Sequence, residues 1–197
     1  DSAARTVKVH LPGPIAAATF TDALTGAKLS AAADGTLELN VPAMYGSVLI
    51  AHGTAQSNVH VLPQKLAMKE LGRERTIRIY LPPGYEKSNK RYPVLYMHDG
   101  QNLFDAATSY SGEWGVDETL NELAKTKGLE LIVVGVDNGG ADRIHELNAW
   151  DNEKFGKGEG RQYMDFLVGT VKPYIDKHYR TKSDRANTAV MGDGAIG

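Results

Sequence analysis

The chain has 197 residues, 42% of them hydrophobic, which is enough for a sizeable core and argues against disorder over most of its length. Its formal charge of −2, with Lys and Arg interspersed among acids, excludes the basic footprint of a nucleic-acid or anionic-membrane binder. There is no cysteine, hence no disulfide, thiolate ligand or cysteine nucleophile, and no stretch approaches the ~18 apolar residues a membrane span needs. The chain begins at Asp1 without a Met, which is read as removal of upstream sequence such as a signal peptide, and a secreted or periplasmic setting is expected.

Residues 6–52 read as β-structure. Val7-Lys8-Val9-His10-Leu11 alternates with the period of a half-buried strand, and Pro12-Gly13-Pro14 breaks it. Residues 20–24 run into a Thr25-Gly26 turn. Ala33-Asp34-Gly35 is a turn signal ahead of Thr36-Leu37-Glu38-Leu39-Asn40-Val41, which alternates again. Ser47-Val48-Leu49-Ile50-Ala51 closes the set as a buried strand. Short strands at close spacing predict a piece of β-sandwich. The runs Phe20-Thr21-Asp22-Ala23-Leu24-Thr25-Gly26, Asp34-Gly35-Thr36-Leu37 and Val41-Pro42-Ala43-Met44-Tyr45-Gly46-Ser47-Val48-Leu49 resemble the end of the β-sandwich that follows the barrel in α-amylases. An unrelated β-module is the alternative. Under the resemblance, residues 1–55 pack or space, and carry nothing catalytic.

The polar residues 54–58 mark a boundary, after which strands alternate with helices. Thr76-Ile77-Arg78-Ile79-Tyr80-Leu81 is a strand ended by Pro82-Pro83-Gly84, and Tyr92-Pro93-Val94-Leu95-Tyr96-Met97 is a second, turned away at His98-Asp99-Gly100. Residues 116–125 space Leu120, Leu123 and Ala124 as a helix does. Residues 129–136 are a continuous apolar strand ending in Asp137-Asn138-Gly139-Gly140. Residues 161–178 predict a second helix, apolar at Met164, Leu167, Val168, Val171 and Ile175. Thr188-Ala189-Val190-Met191 is a final buried strand, closing on Gly192. Apolar strands separated by helices predict a parallel sheet covered on both faces.

Chemistry is carried by a set of segments. Leu71-Gly72-Arg73-Glu74-Arg75 leads to Tyr80-Leu81-Pro82-Pro83-Gly84-Tyr85. Then come the run from Tyr92 through His98-Asp99-Gly100-Gln101-Asn102-Leu103-Phe104-Asp105 and Trp114-Gly115-Val116-Asp117-Glu118. In order and spacing, over about 140 residues, this set is similar to the putative-esterase family of α/β-hydrolases, with its feruloyl, acetyl-xylan and enterobactin-type esterases. The fold class this implies is α/β: a partial α/β-hydrolase over residues 58–197, its mostly parallel sheet flanked by helices, after a small N-terminal β-sandwich-like segment. Ligands in such sheets sit beyond the carboxyl ends of the strands. The loop leaving the strand at His98 gives one N–H to the oxyanion hole, and the resemblance places that donor at Gln101. Gly100 would let the backbone approach a substrate closely; a tight turn with a capped histidine is the plainer reading of His98-Asp99-Gly100.

The second donor follows the nucleophile on a G-x-S-x-G elbow. Here the chain reads Gly192-Asp193-Gly194-Ala195-Ile196-Gly197, so Gly194 stands at the serine position, Ala195 supplies the second oxyanion amide, and Ile196 replaces the second glycine. A shifted register places Ala195 at the nucleophile and loses the first glycine. Neither register supplies an oxygen nucleophile, and Asp193 lies one position early for a carboxylate attack. The acid and histidine that follow the nucleophile in this fold are not among residues 1–197, so truncation and impaired catalysis are expected.

His178 reads as a helix-end residue meeting the dipole, and His145 as a residue able to line the cleft. His10, His52 and His60 show no metal-ligand spacing, so no metal and no cofactor are expected. The cleft is expected to include His98, Asp99, Gly100, Trp114, Asp137, Asn138 and Trp150. Trp114 could serve sugar or aryl binding or anchor the following helix by packing, and Trp150 could cover the cleft or cover core. Gly156-Lys157-Gly158-Glu159-Gly160 follows no strand and reads as a loop. The intact relative would hydrolyse carboxylic esters, with acyl groups on carbohydrate as substrate. A non-catalytic carbohydrate-binding or accessory module, or a truncated product without activity, is the alternative. A missing half-sheet would expose the edge beside the last strand and allow self-association.

Overall fold

The computed structural model describes residues 4–10, 19–30, 32, 36–41, 46, 48–52, 58–110 and 112–192. The chain divides into two compact units, Asp1–Ser57 and Asn58–Gly197. The expected turns at Pro12-Gly13-Pro14 and Ala33-Asp34-Gly35, the stretch 42–45 and the elbow 193–197 lie outside the described residues.

In the first unit, β1 (Arg5–His10) pairs antiparallel with β4 (Thr36–Val41), while β2 (Thr19–Asp22) lies between β3 (Lys28–Ser30) and β5 (Leu49–His52), antiparallel to both. Alternation aims Leu37 and Leu39 of one sheet at Phe20 of the other, and Val7, Leu29, Val41 and Leu49 pack around them. Two small sheets therefore share one apolar layer, as in a sandwich.

The second unit is built on five strands in the order β12-β10-β11-β9-β6: Thr188–Met191, Val94–His98, Ile132–Val136, Ile77–Tyr80 and Val59–Val61. A separate ribbon pairs β7 (Leu66–Met68) with β8 (Arg73–Arg75). β10 is parallel to both β11 and β12, but β9 is antiparallel to β11 and to β6. The sheet is thus mixed in its pairings. Only β9 is reversed, because a short link joins β8 to β9 and no helical crossover precedes it.

The two faces of β10 and β11 follow strict alternation. Val94, Tyr96, Ile132, Val134 and Val136 join Phe166, Val171 and Ile175 in one core, whereas Met97 and Val133 join Leu103, Phe104 and Leu120 in the other. The second core lies under α1 (Val116–Lys127), which starts after Gly115 and ends on left-handed Gly128, whose N–H reaches the Ala124 and Leu123 carbonyls. A four-residue helix, α2 (Arg143–Glu146), follows β11.

Two expectations are corrected. The helix over 161–178 is α3 (Gly160–Phe166) and α4 (Lys172–His178) joined by a π turn, Leu167–Val171. Pro173 has no N–H to give the fourth residue back, which favours the wider turn. The buried stripe Tyr163, Leu167, Val171, Ile175 is spaced by four and would drift about 120° round a regular α-helix. The wide turn keeps it on the sheet side and leaves Met164 and Val168 exposed, against expectation. The last strand is likewise not buried: among the described residues β12 pairs only with β10, and Val190 and Met191 stand more than half exposed.

Candidate functional site

β10 and β11 run parallel in register, His98 beside Val136, so the loops that leave them emerge side by side. Between these loops lies an open cleft of about 850 Å³, walled by Asp99, Gln101 and Asn102 from the first loop and by Asp137, Asn138, Gly140 and Arg143 from the second. Thr108, Ser109 and Tyr110 close a third side.

The first loop is sharply folded. Asp99 takes a left-handed conformation, φ 54° and ψ 46°, the one non-glycine with positive φ among the described residues. Such a backbone persists in a non-glycine residue only where its surroundings hold it. They do so here. The buried Asp99 carboxylate accepts two bonds from Arg143, at 2.6 and 2.8 Å, and one from Asn138 Nδ2 at 2.5 Å. The chain then makes a 3-10 turn over Gly100–Asn102, closed by Asn102 N–H to the Asp99 carbonyl and Leu103 N–H to the Gly100 carbonyl. Gln101 N–H, at the head of that turn, stands outside its hydrogen-bond ladder. The Gln101 side chain accepts from Asn138 N–H at 3.1 Å, and its carbonyl accepts from Thr108 Oγ1 at 2.8 Å, so both walls are tied to it.

Gly100 packs tightly against the neighbouring strand. A Cβ there would lie 2.7 Å from the Gly135 carbonyl carbon and 2.8 Å from Asp137 Oδ1, so the glycine lets the loop sit directly on β11. Asp137 is held by a fork from Arg78, at 2.7 and 3.0 Å. Behind the second loop lies a charged cluster. Glu146 is buried and accepts from Arg73 at 2.9 Å and from Arg75, and Arg73 also reaches Glu159 and Asp142.

Asp99, Gln101, Asp137 and Asn138 therefore share one cleft. His98 does not line it: the ring is buried below, with Nδ1 2.8 Å from the Tyr163 hydroxyl. Burial, with the nearby Glu146 and Asp99 charges, pushes the Tyr163 phenol well above its ordinary range, so it stays protonated beside His98. Gly192 packs on that ring, since a Cβ there would come 2.6 Å from His98 Cδ2.

Trp114 and Trp150 are not cleft-lining residues. Trp114 is tied by its N–H to the Asn102 carbonyl, and the Trp150 ring is largely solvent-exposed. His145 sits on α2 with Nδ1 3.0 Å from the Lys157 carbonyl, away from the cleft. His178 is stacked on Tyr174 and bonds its carbonyl, as a helix-end residue does. Gly158 and Gly160 pack on the backbone of Asn148 to Trp150. Gly194 and Ala195 lie outside the described residues. Sequence reasoning missed Arg143, Glu146, Tyr163 and Tyr110. Arg73 and Arg75 stood within a quoted motif without a role.

Residues 68–195 match the family model Esterase, whose description reads "Putative esterase". Over 125 residues the chain is 30% identical to an endo-1,4-beta-xylanase/feruloyl esterase of Xylanibacter ruminicola, covering 61% of this chain and 16% of that protein. It is 22% identical over 125 residues to the uncharacterized protein YbbA of Bacillus subtilis, covering 60% of this chain and 46% of that one. Among solved structures, the siderophore hydrolase EstA of Aspergillus nidulans is similar with a TM-score of 0.54 at 18% identity, over 74% of this chain and 51% of that one. An IroE-like serine hydrolase of Shewanella oneidensis gives 0.50 at 23% identity, over 62% and 39%. These two structures carry the fold alone. The chain spans less than half the length of either curated relative.

Proposed function

The chain belongs to the putative-esterase family of α/β-hydrolases, and from that premise we propose that its cleft takes carboxylic esters, with acyl groups carried on carbohydrate as the substrate class. The observation that carries this reading is the Gln101 N–H, placed at the head of a turn on the cleft wall and outside its hydrogen-bond ladder. A donor so held suits the oxygen of an ester carbonyl as it gains charge. The choice of acyl-carbohydrate is supported by the xylanase/feruloyl esterase relative.

In this reading the ester carbonyl oxygen lies between the amides of Gln101 and Ala195. Asp99, Arg143 and Asn138 act as positioning residues that fix the first amide. The nucleophile would attack from position 194. That position is glycine, with no oxygen to form an acyl-enzyme, and Ile196 stands where the elbow pattern has its second glycine. Residues 1–197 by themselves are therefore proposed to bind without turnover. A secreted or periplasmic setting goes with this reading; among the described residues no helix is long and apolar enough to cross a membrane.

Incubation of the chain with p-nitrophenyl acetate and a fluorophosphonate probe tests the impairment: neither saturable hydrolysis nor covalent labelling is expected, and both together would overturn it. Gly194 also favours a second reading, a recognition module that keeps the cleft for sugar. Retardation in glucan-affinity electrophoresis would support that reading. The first unit, Asp1–Ser57, is then a packing or spacing element, in keeping with its resemblance to the end of an amylase β-sandwich.

A further inference from the structure

We propose that Glu113, Asp117 and Glu118 form a binding site for a hard divalent cation, Ca²⁺ by preference, at the head of the helix Val116–Lys127. The site lies outside the ester cleft, and the expectation of no metal, drawn from histidine spacing, did not reach it.

One carboxylate oxygen from each of the three side chains lies within 4.8 Å of the others. Oxygens bound to one Ca²⁺ at about 2.3–2.6 Å stand up to ~5 Å apart, so the three fall within the spread that one ion's shell spans. The smaller shell of Mg²⁺, at about 2.0–2.1 Å, fits the outer part of that range less well. Three carboxylates and water would complete the six to eight oxygens that Ca²⁺ takes.

Clustering alone would mean little, because acidic side chains suit the first turn of a helix. The second observation is the state of Asp117. Its exposure is 0%, yet neither of its carboxylate oxygens has a hydrogen-bond partner, and Glu118 Oε2 is buried without one too. A wholly buried carboxylate is paired with a cation, bound to a metal or protonated. Among the described residues no Lys or Arg forms an ion pair with any of the three.

The backbone supports the arrangement. Gly112 and Gly115, both with positive φ (107° and 61°), turn the chain so that Glu113 meets the next two acids across the helix start. Trp114 and Val116 N–H bond to the Asn102 and Leu103 carbonyls, which ties the start of the helix to the turn before it. An ion here would staple the segment after the oxyanion turn to α1. That segment carries Thr108, Ser109 and Tyr110, the third wall of the cleft.

The test is calorimetric titration of CaCl₂ into the EDTA-treated, dialysed chain, with thermal unfolding compared in CaCl₂ and in NaCl of equal ionic strength. Saturable one-to-one binding with a Kd of about 10⁻⁵–10⁻³ M is expected, together with a rise in Tm that NaCl does not reproduce. Asp117→Asn and the half-buried Glu113→Gln should each weaken binding about tenfold or more. If Asp117→Asn fails to fold, Glu113→Gln decides alone. Absence of saturable binding, or equal binding in wild type and Glu113→Gln, would overturn the site. Equal affinity for MgCl₂ would overturn the preference for Ca²⁺.

Discussion

Arg143 grips Asp99 through a two-pronged contact, Nε to Oδ1 at 2.6 Å and Nη2 to Oδ2 at 2.8 Å, and so holds a left-handed residue immediately before the 3-10 turn Gly100–Asn102. The guanidinium reaches from the loop after β11 to the loop after β10. The two walls of the cleft are therefore set relative to each other by one planar fork.

Replacing that fork should cost more than a surface ion pair. Asp99 is nearly inaccessible while Arg143 is about a third exposed, so Arg143→Ala would leave a buried carboxylate short of its main charge partner. A loss of about 2–4 kcal/mol is expected, at the lower side of the range for broken buried pairs because water can reach the vacated position. Arg143→Lys should recover only part, since an ammonium cannot reproduce the fork. Urea unfolding of the three proteins checks this. A loss below about 0.5 kcal/mol for Arg143→Ala would show that the pair is only a surface contact.

Gly100→Ala and Gly72→Ala separate close packing from backbone conformation. At Gly100 the new methyl would stand 2.7 Å from the Gly135 carbonyl carbon, and backbone cannot swing aside. At Gly72 nothing lies within 4 Å, and only the left-handed φ of 64° opposes the change. A cost of about 1–3 kcal/mol or more is expected at position 100 and about 1 kcal/mol at position 72. Thermal melts of both variants measure it, and equal costs would contradict the packing argument.

The sheet and helices of the second unit were legible because their signals are local. Alternation in β10 and the β-branched run in β11 each decide a face, and both faces proved covered. The π turn was hidden because it depends on Pro173 together with a stripe spaced by four, which looks like an ordinary helix in sequence. β12 misled for a related reason: Ala189, Val190 and Met191 are apolar, and the sequence does not say that neither face of that strand is covered among the described residues. In the site, the turn at His98-Asp99-Gly100 was readable in the sequence, but the side chains that hold it were not. Arg143, 44 positions beyond Asp99, and Glu146, 71 beyond Arg75, meet their partners through strand pairing, β10 with β11 for the first and β9 with β11 for the second.

Glu146 is the centre of the second network and should be the more costly of the two acids to neutralise. Its side chain is 1% exposed and serves both Arg73 and Arg75, of which Arg75 is itself buried. Glu146→Gln would leave two guanidinium groups facing an uncharged amide, with Arg75 unable to turn to water. A loss of about 3–5 kcal/mol is expected. Because Gly139 packs against Arg75 and Glu146, the second loop of the cleft should loosen too. Urea unfolding, with amide exchange at residues 137–142, reads both effects. Full stability with unchanged exchange would show that the network is dispensable.

The β12 edge supplies the last expectation. Successive side chains of a strand point to opposite faces, so half-exposed Val190 and Met191 mean that both faces of β12 are open among the described residues, in contrast to β10 and β11. β10 bonds one side of it, and among the described residues no strand pairs with the other. An apolar, unprotected edge of this kind recruits a second strand. Residues 1–197 should therefore self-associate as concentration rises, seen as earlier elution in size-exclusion chromatography. Val190→Lys places a charge on that edge without touching the cleft, and should return the protein to the monomer position. Elution that stays monomeric across the concentration series, or association that Val190→Lys leaves intact, would show that β12 is not the contact.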